Sequence, residues 1–269
     1  MDQNQTRASG FIDTLWEEDD YLEDIIDHLA YMEDVTLPSI LMIEKQEQIT
    51  WDLRSNLIDF VTRSHQHFRL PSHVLFLSIN LIDRYCSRRQ VFREHYWLLG
   101  SVALFIASKY GDRTDRGKNL RPLSVSEIRK LCHDIFDAHM IAQMEVSILY
   151  TLDWVMGHPT TDHYLDFLLV GEPRGGELAS MAAYLSEISL YHPEFVGIKP
   201  SVISTSCCML AKSILFGTVS IGTNTEIVVM ETLNSLWKRL RQPPPAISDK
   251  YSTQSRHYVA QTVFYRLAG

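Results

Sequence analysis

Cations are in the minority in this chain. Lys and Arg number 25 against 33 Asp and Glu, giving a formal charge of -8 over 269 residues. Nonspecific nucleic-acid binding requires clustered Lys and Arg to neutralise phosphates, so no nucleic-acid partner is expected. Cysteine is scarce too. Cys86, Cys132, Cys207 and Cys208 form no CxxC pair and fall on apolar helical patterns, as reduced core thiols of a nuclear or cytoplasmic protein do. The longest apolar stretch, Tyr96 to Ile106, is shorter than the ~20 residues of a membrane-crossing helix. Met1 to Gly10 is polar and has no signal-peptide core. Strand-like alternation is nearly absent. So are the motifs GxxxxGK[ST], GxGxxG after a strand, HExxH and GxSxG, and the histidines lack metal-ligand spacing. Neither a metal nor a cofactor is expected.

What is present is period 3.6, from Asp20 to Ala268. A first helix reads Tyr21, Ile25, Leu29 and Met32, followed by a linker over Met42 to Thr50. A second runs from Trp51 to His67, and a third follows Pro71 with Ser72 as its N-cap. Val74 to Ile82 and Trp97 to Ala107 are apolar nearly all round, which places those helices at the centre of a bundle. The polar segment GDRTDRGKNLRP, Gly111 to Pro122, reads as a loop. Ser124 and Glu127 form a capping box. Gly157 to Pro159 punctuates the chain, and helical patterns follow at 160–170, 176–191, 200–216, 224–241 and 246–267. Ala107-Ser108-Lys109 is echoed by Ala211-Lys212-Ser213. The expected architecture is all-α: an N-terminal helix in residues 1–50, then two bundles of about five helices, 51–157 and 158–269.

Four charges stand in apolar rows. Arg54 shares a face with Ile58 and Val61, and Asp83 follows Leu75 and Ile79. A buried charge needs a partner, so these two are expected to pair. Lys109 ends the row Val102, Phe105, Ile106, and Glu145 interrupts Ile141, Ile148, Leu152. Spacing alone leaves them open between snorkelling to solvent and fixing register on a partner. The acids Glu17 to Asp20, with Glu23 and Asp24, suit the start of a helix. As an Mg²⁺–diphosphate site they would need a second acidic motif, which the chain does not show.

Leu53 to Asp112, with LR…LIDF, NLIDRYCS and ALFIASKYGD at the family's spacing, closely resembles the cyclin box. YLEDIIDHLAYMED resembles the cyclin N-terminal helix, QMEVSILYTLDW the box's last helix, and LASMAAYLSEISLYHPEF with DKYS the second cyclin fold. The resemblance implies tandem cyclin folds and a regulatory, non-catalytic protein of nucleus and cytoplasm that binds a cyclin-dependent kinase. By the same resemblance, Arg54 and Asp83 are the buried pair bracing the first bundle. Lys109 and Glu145 grip the kinase, with Tyr110, Trp154 and Tyr21 beside them, and Leu98 is a core position. Leu53, Leu57, Phe60, Arg63, Arg93, Tyr96 and Trp97 make up the patch through which substrates or inhibitors dock. Asn56 and Arg63 depart from the family there, Arg63 standing where an acid is expected. That departure implies Leu-rich or acidic docking segments rather than RxL peptides. TLDWVMGHPTTDHYLDF looks most like fungal G1-type cyclins. Rival readings are a cyclin-fold transcription factor, expected to carry a zinc ribbon and a basic face, and the Mg²⁺ enzyme.

Overall fold

The computed structural model describes residues 19–110, 121–173, 175–217 and 226–268, with side chains from residue 23 to residue 267. Glu17, Glu18, the Tyr21 side chain and most of the Gly111–Pro122 segment therefore lie outside the described residues. The described elements are all helical. They run α1 (Asp19–Val35), α2 (Ile40–Ile43), α3 (Trp51–His67), α4 (Ser72–Arg88), α5 (Arg93–Tyr110), α6 (Val125–Leu131), α7 (Ala138–Thr151), α8 (Thr161–Leu168), α9 (Glu177–Ser189), α10 (Pro200–Phe216), α11 (Ile227–Arg239), α12 (Pro245–Tyr251) and α13 (Val259–Ala268).

Helix α4 is buried on every face from Val74 to Cys86, and α5 from Leu98 to Ser108. Because apolar side chains cover most of their circumference, α3, α6, α7 and α8 can pack around them. Gly100 sets the α3–α5 crossing, since a Cβ there would lie 2.6 Å from Leu57 Cδ1. In the second bundle α10 is central, packed against α8, α9 and α11.

Helix ends follow local chemistry. The capping box is complete: Glu127 N–H donates to Ser124 Oγ, and Ser124 N–H donates to Glu127 Oε2 at 2.8 Å. Ser72 is the first helical residue rather than the cap; Pro71 holds the cap position in extended conformation. The 246–267 pattern is two helices, because His257 and Tyr258 take φ of 54° and 51° and break it. The short helix α2 overlaps the start of the expected linker at Met42 and Ile43, and Gln46 anchors the stretch after that helix by donating to the Cys86 and Arg89 carbonyls at 2.7 and 2.6 Å. The resemblance motif DKYS has a physical explanation. Lys250 and Tyr251 both donate to the buried Glu187 carboxylate, a charged pair inside the second bundle.

Helix α1 is fastened to the second bundle. Glu33 accepts from the N–H and Oγ of Ser201 at 2.7 and 2.9 Å, at the N-terminus of α10, where the helix dipole favours an anion. Thr36, just past α1, donates to the Met32 carbonyl and accepts from His158 Nδ1 at 2.7 Å.

Burial pulls the His65 pKa down to about 4, with Lys250 adding to the effect, and pulls His158 down to about 3, aided by Arg84 and His163. Both folded values lie below the unfolded value of about 6.5, so the native state favours the neutral ring. The stability this confers is complete above pH 6.5 and is lost as pH falls towards 4 and 3. Between pH 7 and pH 5, where few carboxylates titrate, each ring is expected to cost about 1–2 kcal/mol. Thermal melts across that range should show it, and a midpoint that does not move would refute it.

Candidate functional site

Lys109 and Tyr110 end α5, and Glu145 lies midway along the neighbouring α7. Lys109 Nζ donates to Glu145 Oε1 at 2.6 Å while resting 3.7 Å from the centre of the Phe105 ring. The two charges are thus paired with each other across the surface, and both keep exposed atoms. Tyr110 is 57% exposed. Its hydroxyl lies 2.8 Å from where a Gly157 Cβ would stand, with Met32 Cε 3.8 Å from the same point. The missing side chain at Gly157 therefore lets the end of α5, the inter-bundle segment and α1 converge.

Trp154 closes this surface. Asp153 and Trp154 both lie in the left-handed region, with φ of 54° and 62°, and Trp154 N–H donates to the Leu149 carbonyl at 2.9 Å. Helix α7 ends in this turn without a glycine, and the indole is left 61% exposed, edge-on to Tyr150 at 5.6 Å. Tyr21 lies in the first turn of α1, and the exposed Ile25 and Ile26 follow it. The surface thus combines a fixed ion pair with exposed aromatic and apolar area. Among the described residues no group of His, Cys, Asp and Glu could hold a metal ion, and no helix is long and apolar enough to cross a membrane. The four cysteines are buried and free.

Arg54 and Asp83 meet as expected. Nε and Nη2 reach the two carboxylate oxygens at 2.8 and 2.6 Å, with the side chains 3% and 7% exposed. A third bond, Arg54 Nη1 to the Leu190 carbonyl at 3.0 Å, crosses to the end of α9. The pair therefore braces both bundles, not the first alone.

The expected docking patch divides. Phe60 meets Trp97 edge-on at 5.3 Å, Leu53 is half-buried, and Arg93 is exposed. Leu57 and Tyr96 are 0% and 1% exposed. They cannot touch a partner, because Leu57 faces Gly100 across the helix crossing and Tyr96 lies beside the Arg54–Asp83 pair. Arg63 is not an isolated cation. Asp59 accepts from its Nε at 2.7 Å, and Asp249 lies 3.8 Å from Nη1, two carboxylates for one guanidinium. The positive charge expected to repel a peptide arginine is compensated. Beside the patch runs an open groove of about 620 Å³, with Phe60, Phe68 and Leu131 for apolar walls and a polar rim that includes Arg63, Lys130 and Glu127.

Sequence reasoning missed Glu33, Asn80, Arg84, Arg88 and Glu187. The available signal was polarity along a largely apolar helix: Asn80, Arg84 and Arg88 recur at spacing four along α4.

The description "Cyclin, N-terminal domain" matches residues 24–157 and "Cyclin, C-terminal domain" residues 159–264. The chain is 34% identical over 257 residues to the G1/S-specific cyclin CCN1 of Candida albicans, covering 88% of this chain and 36% of that protein. It is 36% identical over 149 residues to cyclin puc1 of Schizosaccharomyces pombe, covering 55% of this chain and 40% of that one. It thus spans little more than a third of the length of these relatives. Among solved structures, a viral cyclin from herpesvirus saimiri superposes with a TM-score of 0.59 at 21% identity, over 90% of this chain and 97% of that one. A chain of the yeast RNA Pol II CTD kinase CTDK-1 complex gives 0.56 at 13% identity, over 79% and 80%. These two show the fold alone. With both domain descriptions matched in tandem along an all-helical chain, this protein belongs to the cyclin family.

Proposed function

We propose that the chain is the regulatory, activating subunit of a cyclin-dependent protein kinase, working at the G1/S transition in nucleus and cytoplasm. The observation that carries this reading is the pre-formed Lys109–Glu145 pair amid exposed aromatic residues at the meeting point of α5, α7 and the inter-bundle segment. A kinase that samples active and inactive arrangements is shifted towards whichever one this surface binds more tightly. Positioning of ATP and phosphoryl transfer belong to the kinase. The G1/S assignment rests on the name of the Candida relative.

The test is to mix the purified chain with a panel of recombinant cyclin-dependent kinases and measure histone H1 phosphorylation. Stimulation of at least one kinase is expected; none across the panel would overturn the proposal.

The groove beside Phe60 supports substrate or inhibitor docking. Its apolar walls suit the leucines of a Leu-rich segment, and Lys130 on its rim offers a contact for an acid. A phosphosite fused to such a segment is expected to be phosphorylated about 3–10-fold more efficiently than one fused to an RxL segment, a difference of about 1 kcal/mol. Phe60→Ala should remove the preference. Equal use of both segments would refute the groove assignment.

A further inference from the structure

Three polar side chains recur at one-turn intervals along α4, Asn80 and Arg84 within its buried length and Arg88 exposed at its C-terminal end, and each ends on backbone outside its own helix. Asn80 Nδ2 donates to the Thr36 carbonyl at 3.0 Å, where α1 ends. Arg84 Nη2 donates to the Val155 carbonyl at 2.9 Å. Arg88 Nη1 donates to the Thr151 carbonyl at 2.9 Å and to Asp153 Oδ2 at 2.6 Å. Their targets share a location: Thr151, Asp153 and Val155 flank Trp154, and Thr36 holds His158 four residues beyond it.

Arg84 is the informative member. It is 3% exposed and forms no ion pair among the described residues, its remaining bond being a long one to Asn80. Burial, with Arg88 beside it, pulls its pKa down to about 10, so it remains charged at neutral pH. A buried cation whose burial is only partly offset by Asp153, itself bonded to Arg88, is costly, and an apolar side chain of similar volume would fill the space without that cost. The charge therefore needs an explanation other than packing. The turn it grips supplies one, because Asp153 and Trp154 occupy left-handed backbone that non-glycine residues hold only when neighbours over-determine it.

We infer that Asn80, Arg84 and Arg88 are positioning residues, a ridge that fixes the Trp154 turn and the end of α1 in the arrangement the kinase meets. The inference rests on the proposed kinase-activating function for its binding arm only.

Three measurements test it, made on the full chain with the kinase it activates best from the panel. First, deuterium uptake of the peptide spanning 150–157 should rise at least threefold in rate in Arg84→Met and Arg88→Ala, while the melting temperature holds and α5 exchanges as before. Second, both variants should raise the Kd for the kinase about tenfold and leave activity at saturation intact, with Arg88→Lys restoring it to within about threefold, since one nitrogen makes both Arg88 contacts. Third, Arg88→Ala should add less than about twofold in a Trp154→Ala background, because it acts through that side chain. Unchanged exchange in both variants, or a full tenfold loss in the Trp154→Ala background, would overturn the ridge. If the unmutated chain stimulates no kinase, the proposed function fails, while the exchange measurement still decides whether the ridge holds the turn.

Discussion

Arg54→Ala is expected to lower the melting temperature of the whole chain by roughly 6–20 °C, which corresponds to about 3–5 kcal/mol. The substitution leaves Asp83 charged, 7% exposed and without its two guanidinium donors. It also leaves the Leu190 carbonyl without the Arg54 Nη1 donor. Burying an unpaired carboxylate is the larger penalty, so Arg54→Met with Asp83→Leu should recover much of the loss by replacing charge with packing. The decisive comparison is among melts of the single, double and unmutated chains. A single variant that melts like the unmutated chain yet fails to bind kinase would place Arg54 in the partner surface instead.

The Lys109–Glu145 pair should behave in the opposite way. It is exposed, and exposed pairs contribute about 0–1 kcal/mol to stability, so Lys109→Ala and Glu145→Ala should melt within about 4 °C of the unmutated chain. In a desolvated kinase interface, loss of one charge strands its partner, and a penalty of about 2–5 kcal/mol corresponds to a Kd raised roughly 30- to 4000-fold. Kinase stimulation should fall with binding. The pairing already present in the free chain means that little side-chain freedom remains to be lost on docking. Titration of kinase activity against cyclin concentration reads the effect, and variants that stimulate at the unmutated chain's concentration would remove both residues from the interface.

Helix positions were legible because the signals are local: period 3.6, the Ser124–Glu127 box, and Pro and Gly at the breaks. The break between Tyr251 and Val259 was not, since His257 and Tyr258 take left-handed backbone ahead of α13 without a glycine to announce it. The Arg54–Asp83 pair was legible because a charge within an apolar row predicts a buried partner. Leu57 and Tyr96 were misplaced because periodicity gives a face, whereas exposure depends on what packs against it, here Gly100 and the buried ion pair. The compensation of Arg63 depends partly on Asp249, far along the chain, which no local pattern connects to it. For the same reason the ridge on α4 became visible only once Thr36, Thr151 and Val155 were in place.

The break at Gly157 divides the chain by composition, yet the two bundles are stitched together. Arg54 bonds across to Leu190, Gln66 reaches Ala246, the His73 and His163 rings stack at 5.5 Å, and α1 is clamped by Ser201 of the second bundle. A nick near residue 157 would therefore cut a covalent link without releasing either half. The second bundle is more than a passive repeat of the first: it serves as scaffold for the N-terminal helix that the first bundle's surface depends on. Swapping second halves between related chains would have to carry Glu33 and Ser201 across together.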